Sequence, residues 1–267
     1  CRLAAPARHQ QDRLMPFRSI QFVHEAKVAR IILNRPPLNI LDIGMTEEIG
    51  AAIEAARDAA VLVFRGAGPK AFSAGAAVSD HTPERVGTML ERFHAVFRRL
   101  HRFPGITAAA VHGHCLGGGC ELAAFCDFVI ASETAQFGQP EITLACFPPV
   151  AAVIFPPVIG FRRAKDLILT GRTISAREAE HWGLVNRVVA EGDLDKALEE
   201  FLAGVGKLSQ PVIGLTKRAM LAAAGVDFEK ALGEVERIYL EELVKTEDAR
   251  EGIAAFLEKR SPVWKGR

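Results

Sequence analysis

Two short runs constrain the fold most. Residues 60–64 are apolar throughout, and residues 106–111 are apolar except for Thr107, so neither shows the in–out alternation of a strand with one wet face. Runs of this length read as strands buried on both faces, the condition of a parallel sheet covered by helices. Parallel neighbours need long crossover connections, usually helical, and the chain supplies them. Residues 45–56 have helical character. Thr82 and Pro83 then read as an N-cap and first-turn pair, after which Val86, Met89, Leu90, Phe93, Phe97 and Leu100 fall on one helical stripe. Residues 20–23 and 28–33 add a β-hairpin, and residues 128–131 a further strand. The expected class is α/β.

A chain of 267 residues, 49% hydrophobic and 24% charged, can bury one large core and is too apolar to be disordered. Its 33 basic and 32 acidic residues leave a formal charge of +1, so no global field draws it to nucleic acid or an anionic membrane. An anionic ligand must therefore be held by local groups. The longest apolar stretch, residues 146–161, carries four prolines and is too short for a transmembrane helix; it reads as a buried turn and helix. The five cysteines form no C-x-x-C pair or metal-ligand cluster, which predicts a reducing cytoplasm and no metal. Residues 1–14 read as a disordered extension or tag, residues 15–204 as the core domain and residues 205–267 as a C-terminal helical region. A Ser175-x-x-Glu178 capping box and the amphipathic stretches 194–203, 212–223, 228–243 and 248–258 mark the helical part.

Three segments carry chemistry. In His114-Cys115-Leu116-Gly117-Gly118-Gly119-Cys120-Glu121-Leu122 a strand, a side-chain-free turn and a carboxylate follow one another. A helix starting at the glycines would offer amides without internal partners to a developing negative charge. Lys70-Ala71-Phe72-Ser73-Ala74-Gly75-Ala76 follows a buried strand and exposes another backbone amide. In Phe137-Gly138-Gln139-Pro140-Glu141 the proline restrains a loop ahead of a second carboxylate. Each segment alone also fits a close-packed turn or a capping carboxylate. Together, two carboxylates flanking one water could activate it and return a proton. No phosphate loop or dinucleotide fingerprint is present. The histidines, His81 among them, have no ligand spacing and read as core or surface residues, and Cys115 and Cys120 as packing residues.

In order and spacing these segments resemble the crotonase superfamily, also called the enoyl-CoA hydratase/isomerase family, over residues 20–265. The resemblance implies a β-β-α spiral whose helical C-terminal region assembles homotrimers, often paired into hexamers. It implies an acyl-CoA substrate and no cofactor beyond the coenzyme A moiety of that substrate. The amides matching Ala76 and Gly118 would polarise the thioester carbonyl, with Glu121 and Glu141 as acid and base of a hydratase. Lys70 and Ala74 would contact coenzyme A, and Phe256-Leu257-Glu258-Lys259-Arg260, through Phe256 and Lys259, would reach its nucleotide end. Two departures stand out: Ala77 replaces a common aspartate, and Phe147-Pro148-Pro149-Val150-Ala151-Ala152 replaces a Gly-rich turn. With Asn39-Ile40-Leu41-Asp42, Ser79-Asp80-His81 and Tyr239-Leu240-Glu241-Glu242-Leu243, they look like members that hydrate a cyclic dienoyl thioester. A linear 2-enoyl-CoA hydratase, a double-bond isomerase and a non-catalytic acyl-CoA-binding protein remain the alternatives.

Overall fold

The computed structural model describes residues 17–206, 208, 213–217, 220 and 227–263. The chain opens with the expected hairpin: β1 (Ile20–Glu25) pairs antiparallel with β2 (Val28–Leu33). α1 (Ile43–Ala55) follows, capped by the Asp42 carboxylate, which accepts from the Met45 amide at 2.8 Å. β3 (Val61–Gly66) then runs parallel to β2, and the chain crosses directly to β4 (Ala71–Ser73) in a second sheet. The same step recurs. α2 (Val86–His101) returns the chain to β5 (Ile106–Val111), which leads to β6 (His114–Leu116); α3 (Gly118–Phe125) returns it to β7 (Phe128–Ser132), which leads to β8 (Gln136–Gly138).

α4 (Pro149–Ile159), α5 (Phe161–Thr170), β9 (Thr173–Ser175), α6 (Ala176–Trp182), β10 (Arg187–Val189) and α7 (Leu194–Val205) complete the spiral. The first sheet has the order β1-β2-β3-β5-β7-β10 and the second β4-β6-β8-β9. This is the α/β class expected from the apolar runs, arranged as the spiral that the family resemblance implied.

Both faces of the first sheet are covered, which explains strands without alternation. Leu62 and Phe64 of β3 join the main core with Phe97 and Leu100 of α2. Val61 and Val63 face the other way, onto Leu194, Leu198 and Leu202 of α7. β5 is buried at every position. The predicted stripe of α2 is buried in full.

Two local readings need correction. Thr82 and Pro83 do not start α2. The Thr82 carbonyl accepts from both the Arg85 and Val86 amides, making a turn, and Arg85 stands at the N-cap without a side-chain cap. The turn is held from outside the helix. The buried Asp80 carboxylate pairs with Arg85 at 2.7 Å and accepts from the Ile43 amide at 3.1 Å. The capping box is half formed: Ser175 accepts from the Glu178 amide, but the Glu178 carboxylate pairs with Arg172 at 2.8 Å.

α8 (Phe228–Glu241) and α9 (Glu247–Leu257) fold back on the core. Arg98 of α2 holds both carboxylate oxygens of Glu236 at 2.9 Å, and His94 Nδ1 lies 2.8 Å from one of them, so α8 is tied to α2. A Cβ on Gly252 would lie 2.2 Å from the Leu144 carbonyl oxygen, so only glycine admits α9 to that contact. Residues 1–14 and half of the amphipathic stretch 212–223 lie outside the described residues. Among the described residues no helix is long and apolar enough to cross a membrane.

Candidate active site

β4, β6 and β8 are parallel neighbours, so their C-terminal ends lie side by side. Each end carries one of the three segments singled out above. Beyond β4, Asn39 fixes the backbone. This fully buried side chain donates to the Ala67 and Ala71 carbonyls at 2.9 Å, and the Asn39 backbone carbonyl accepts from Ser73 Oγ at 2.8 Å. Leu41 then bridges Ala76 as a strand would, donating to the Gly75 carbonyl at 2.9 Å and accepting from the Ala77 amide at 3.0 Å. In that pattern the Ala76 N–H points away from Leu41.

Beyond β6, the Gly117 amide donates to the Gly138 carbonyl at 2.9 Å and the backbone adopts φ 51°. α3 starts at Gly118, whose amide is therefore one of the helix's orphan donors. A Cβ on Gly118 would lie 3.4 Å from the Ala76 nitrogen, and one on Gly75 would lie 3.3 Å from the Gly118 nitrogen. The two amides thus border the same small space, and glycine keeps it open.

Glu121 sits in the first turn of α3 and is 2% exposed. Its Oε1 accepts from the Ala151 amide at 2.8 Å, at the start of α4. Pro148 and Pro149 have no N–H to give, so the first turn of α4 presents its amides from Val150 and Ala151 onward. The segment that replaces a Gly-rich turn therefore still holds the carboxylate. Glu141 projects from the 3-10 turn Pro140–Leu144, and a Cβ on Gly117 would lie 2.6 Å from its Oε1. Gln139, fully buried, donates its amide to both Glu141 oxygens at 3.2 and 3.3 Å, in the orientation this network requires.

Ala76, Gly118, Glu121 and Glu141 line one cavity with Phe93, His81 and Tyr239. Its free volume is about 20 Å³, room for about one water. Burial pushes both carboxyls up, Glu121 to about 7 against the backbone donors at Ala151 and Val150, and Glu141 to about 8 with the Glu121 charge adding to the effect. They titrate as a pair, so near neutrality one site offers both a proton acceptor and a proton donor.

The structure thus brings together Glu121, Glu141, Ala76 and Gly118. Lys70, Ala74, Phe256 and Lys259 are not among the residues lining that cavity; Lys70 is exposed before β4, and Phe256 and Lys259 are exposed at the end of α9. Cys115 and Cys120 are fully buried, as packing residues would be. His81 is a correction, since it belongs to the cavity wall rather than to a core or an outer surface. Its place follows from the Asp80 contacts with α1 and Arg85, which no local pattern reveals. Gln139 was missed as a functional residue; its only signal was a polar side chain one residue before Pro140 in an apolar context.

The model of the enoyl-CoA hydratase/isomerase family matches residues 23–267, and the chain belongs to this enzyme family. Among its relatives, the cyclohexa-1,5-dienecarbonyl-CoA hydratase of Thauera aromatica is 37% identical over 91% of this chain and 95% of its own length. A Rhizobium meliloti protein named "Probable enoyl-CoA hydratase" is 39% identical over 95% of this chain and all of its own. A crystal structure of an enoyl-CoA hydratase from Mycobacterium avium subsp. paratuberculosis superposes with a TM-score of 0.84 at 27% identity, covering 94% of this chain and 100% of that one.

Proposed function

We propose that the protein is an acyl-CoA hydratase that adds water to a conjugated enoyl or dienoyl thioester, with cyclohexa-1,5-diene-1-carbonyl-CoA as its substrate. The observation that carries the reading is the pairing of the buried Glu121 carboxyl with the half-buried Glu141 carboxyl around a space for about one water, beside the Ala76 and Gly118 amides, which have no hydrogen-bond partner among the described residues. The Ala76 and Gly118 amides bind the thioester oxygen and draw electron density from the conjugated system. Water held between Glu121 and Glu141 gives a proton to the ionised carboxyl as its oxygen bonds to the β-carbon. The electron pair moves onto the thioester oxygen as a dienolate. The protonated carboxyl then delivers a proton to carbon, leaving a 6-hydroxycyclohex-1-ene-1-carbonyl thioester.

The cyclic substrate is favoured by the Thauera aromatica relative and by the Ala77 and 147–152 departures from the common pattern. A linear 2-enoyl-CoA substrate is the second reading, favoured by the Rhizobium meliloti relative. Turnover of the cyclic diene beside crotonyl-CoA, with products identified by mass and NMR, separates them. Preference for the diene supports the cyclic reading; preference for crotonyl-CoA overturns it and leaves a general hydratase.

Gln139 adds a test of the acid–base pair. Its amide favours the ionised form of Glu141, so Gln139→Leu is expected to raise that carboxyl further, and the acidic limb of the kcat/KM profile moves to higher pH by about one unit. An unmoved limb would remove Gln139 from this role.

A further inference from the structure

Beyond the reacting cavity lies a larger one of about 270 Å³, walled largely by apolar groups that include Leu243, Val244, Ile253 and Leu257. Two residues belong to the walls of both cavities: His81 and Tyr239. Tyr239 is the only tyrosine of the chain and is 2% exposed on α8. Its ring packs 5.0 Å from that of Phe147, in the loop that leads into α4. His81 ends the 3-10 turn Val78–His81, and its Nδ1 lies 3.0 Å from the Ala77 carbonyl. A carbonyl only accepts, so Nδ1 carries the hydrogen and Nε2 of the neutral ring is left as an acceptor. Burial lowers the His81 pKa and raises that of Tyr239, so both stay neutral and suit a boundary with apolar space.

A space of about one water holds the attacking water alone, so the carbons of the acyl group need another place. A cavity of ~150 Å³ is large enough for benzene. The chamber behind His81 and Tyr239 therefore fits a six-membered ring with some room to spare and falls short of most extended ligand pockets, which start near ~300 Å³.

We propose that Tyr239, with His81 beside it on the same boundary, is a specificity-determining residue: it contacts the acyl group beyond the reacting bond and admits compact, ring-sized groups to the apolar chamber. The proposal rests on the acyl-CoA reading of the site but not on turnover, and its test is binding. Dissociation constants of three unreactive thioesters, acetyl-CoA, cyclohexanecarbonyl-CoA and octanoyl-CoA, are measured by calorimetry for the wild type, Tyr239→Leu and Leu257→Trp.

The wild type is expected to bind cyclohexanecarbonyl-CoA at least about tenfold more tightly than acetyl-CoA, because the ring buries several methylenes. Tyr239→Leu, by widening the boundary, shifts the octanoyl-to-cyclohexanecarbonyl ratio toward octanoyl by about tenfold. Leu257→Trp fills the chamber from its exposed side and lowers the ring-to-acetyl preference by a similar factor. Ratios within twofold of the wild type in both variants, or a wild type without ring preference, overturn the proposal. Crotonyl-CoA and diene turnover, measured alongside, judge the hydratase reading separately. A protein with the expected binding ratios and no turnover loses that reading and keeps this one.

Discussion

Glu141→Gln and Glu121→Gln are each expected to lower hydratase kcat by about three orders of magnitude while acyl-CoA binding persists, since each removes one proton-transfer partner and keeps the side-chain shape. The same substitutions are expected to stabilise the fold at alkaline pH. Both carboxyls have folded values, about 7 and about 8, above the ordinary 4.5. Between those limits the folded protein holds protons that the unfolded chain has released, so wild-type stability falls as pH rises through the window and stays low above it. Glutamine does not titrate. For the 2% exposed Glu121, a rise from 4.5 to about 7 corresponds to about 3 kcal/mol at pH 9, of which little remains at pH 5. Its amide oxygen can still accept from Ala151. Calorimetric melting at pH 5 and pH 9 checks the stability effect, and stopped turnover assays the catalytic one. Activity within tenfold of the wild type would remove the substituted glutamate from the mechanism, and equal melting shifts at both pH values would show that the carboxyls are not held protonated by burial.

Gly118→Val is expected to abolish turnover to a comparable degree by a different route. A Cβ at this position already meets the Phe93 Cζ at 2.8 Å and the Ala76 nitrogen at 3.4 Å, so valine methyls occupy the space where a thioester oxygen would meet the two amides. Loss of one such donor costs about 3 kcal/mol of transition-state stabilisation, and blocking the space removes both. Gly118 has no positive φ, so the backbone accepts a side chain and the fold should survive with a small adjustment at Phe93. Gly117→Ala is the informative contrast: at φ 51°, with its Cβ 2.6 Å from the Glu141 oxygen, it strains the turn itself. The measurement is kcat/KM with circular dichroism as the check on folding. A folded Gly118→Val that keeps activity within tenfold would take the amide pair out of the mechanism.

The strands around Val63 and Ala109, the α2 stripe and the glycine start of α3 were legible because each depends on periodicity or backbone freedom within a few residues. Glu121 and Glu141 could be picked out as carboxylates beside turns for the same reason. The start of α2 was not legible, because Asp80, Arg85 and the distant Ile43 amide decide where the turn ends and the helix begins. Nor was the role of Ala151, whose amide reaches Glu121 only after α3 and α4 have packed.

The α/β class, the helix and strand faces and the three reactive segments could all be read from the residue pattern, because each is a consequence of short-range order. That β4, β6 and β8 are adjacent and parallel, so that two amides and two carboxylates converge, and that Gln139, His81 and Tyr239 join them, emerged only from the packing of the whole chain. Strand order and helix return are set by which apolar faces can be buried together across the whole chain, and that is a property of no single segment.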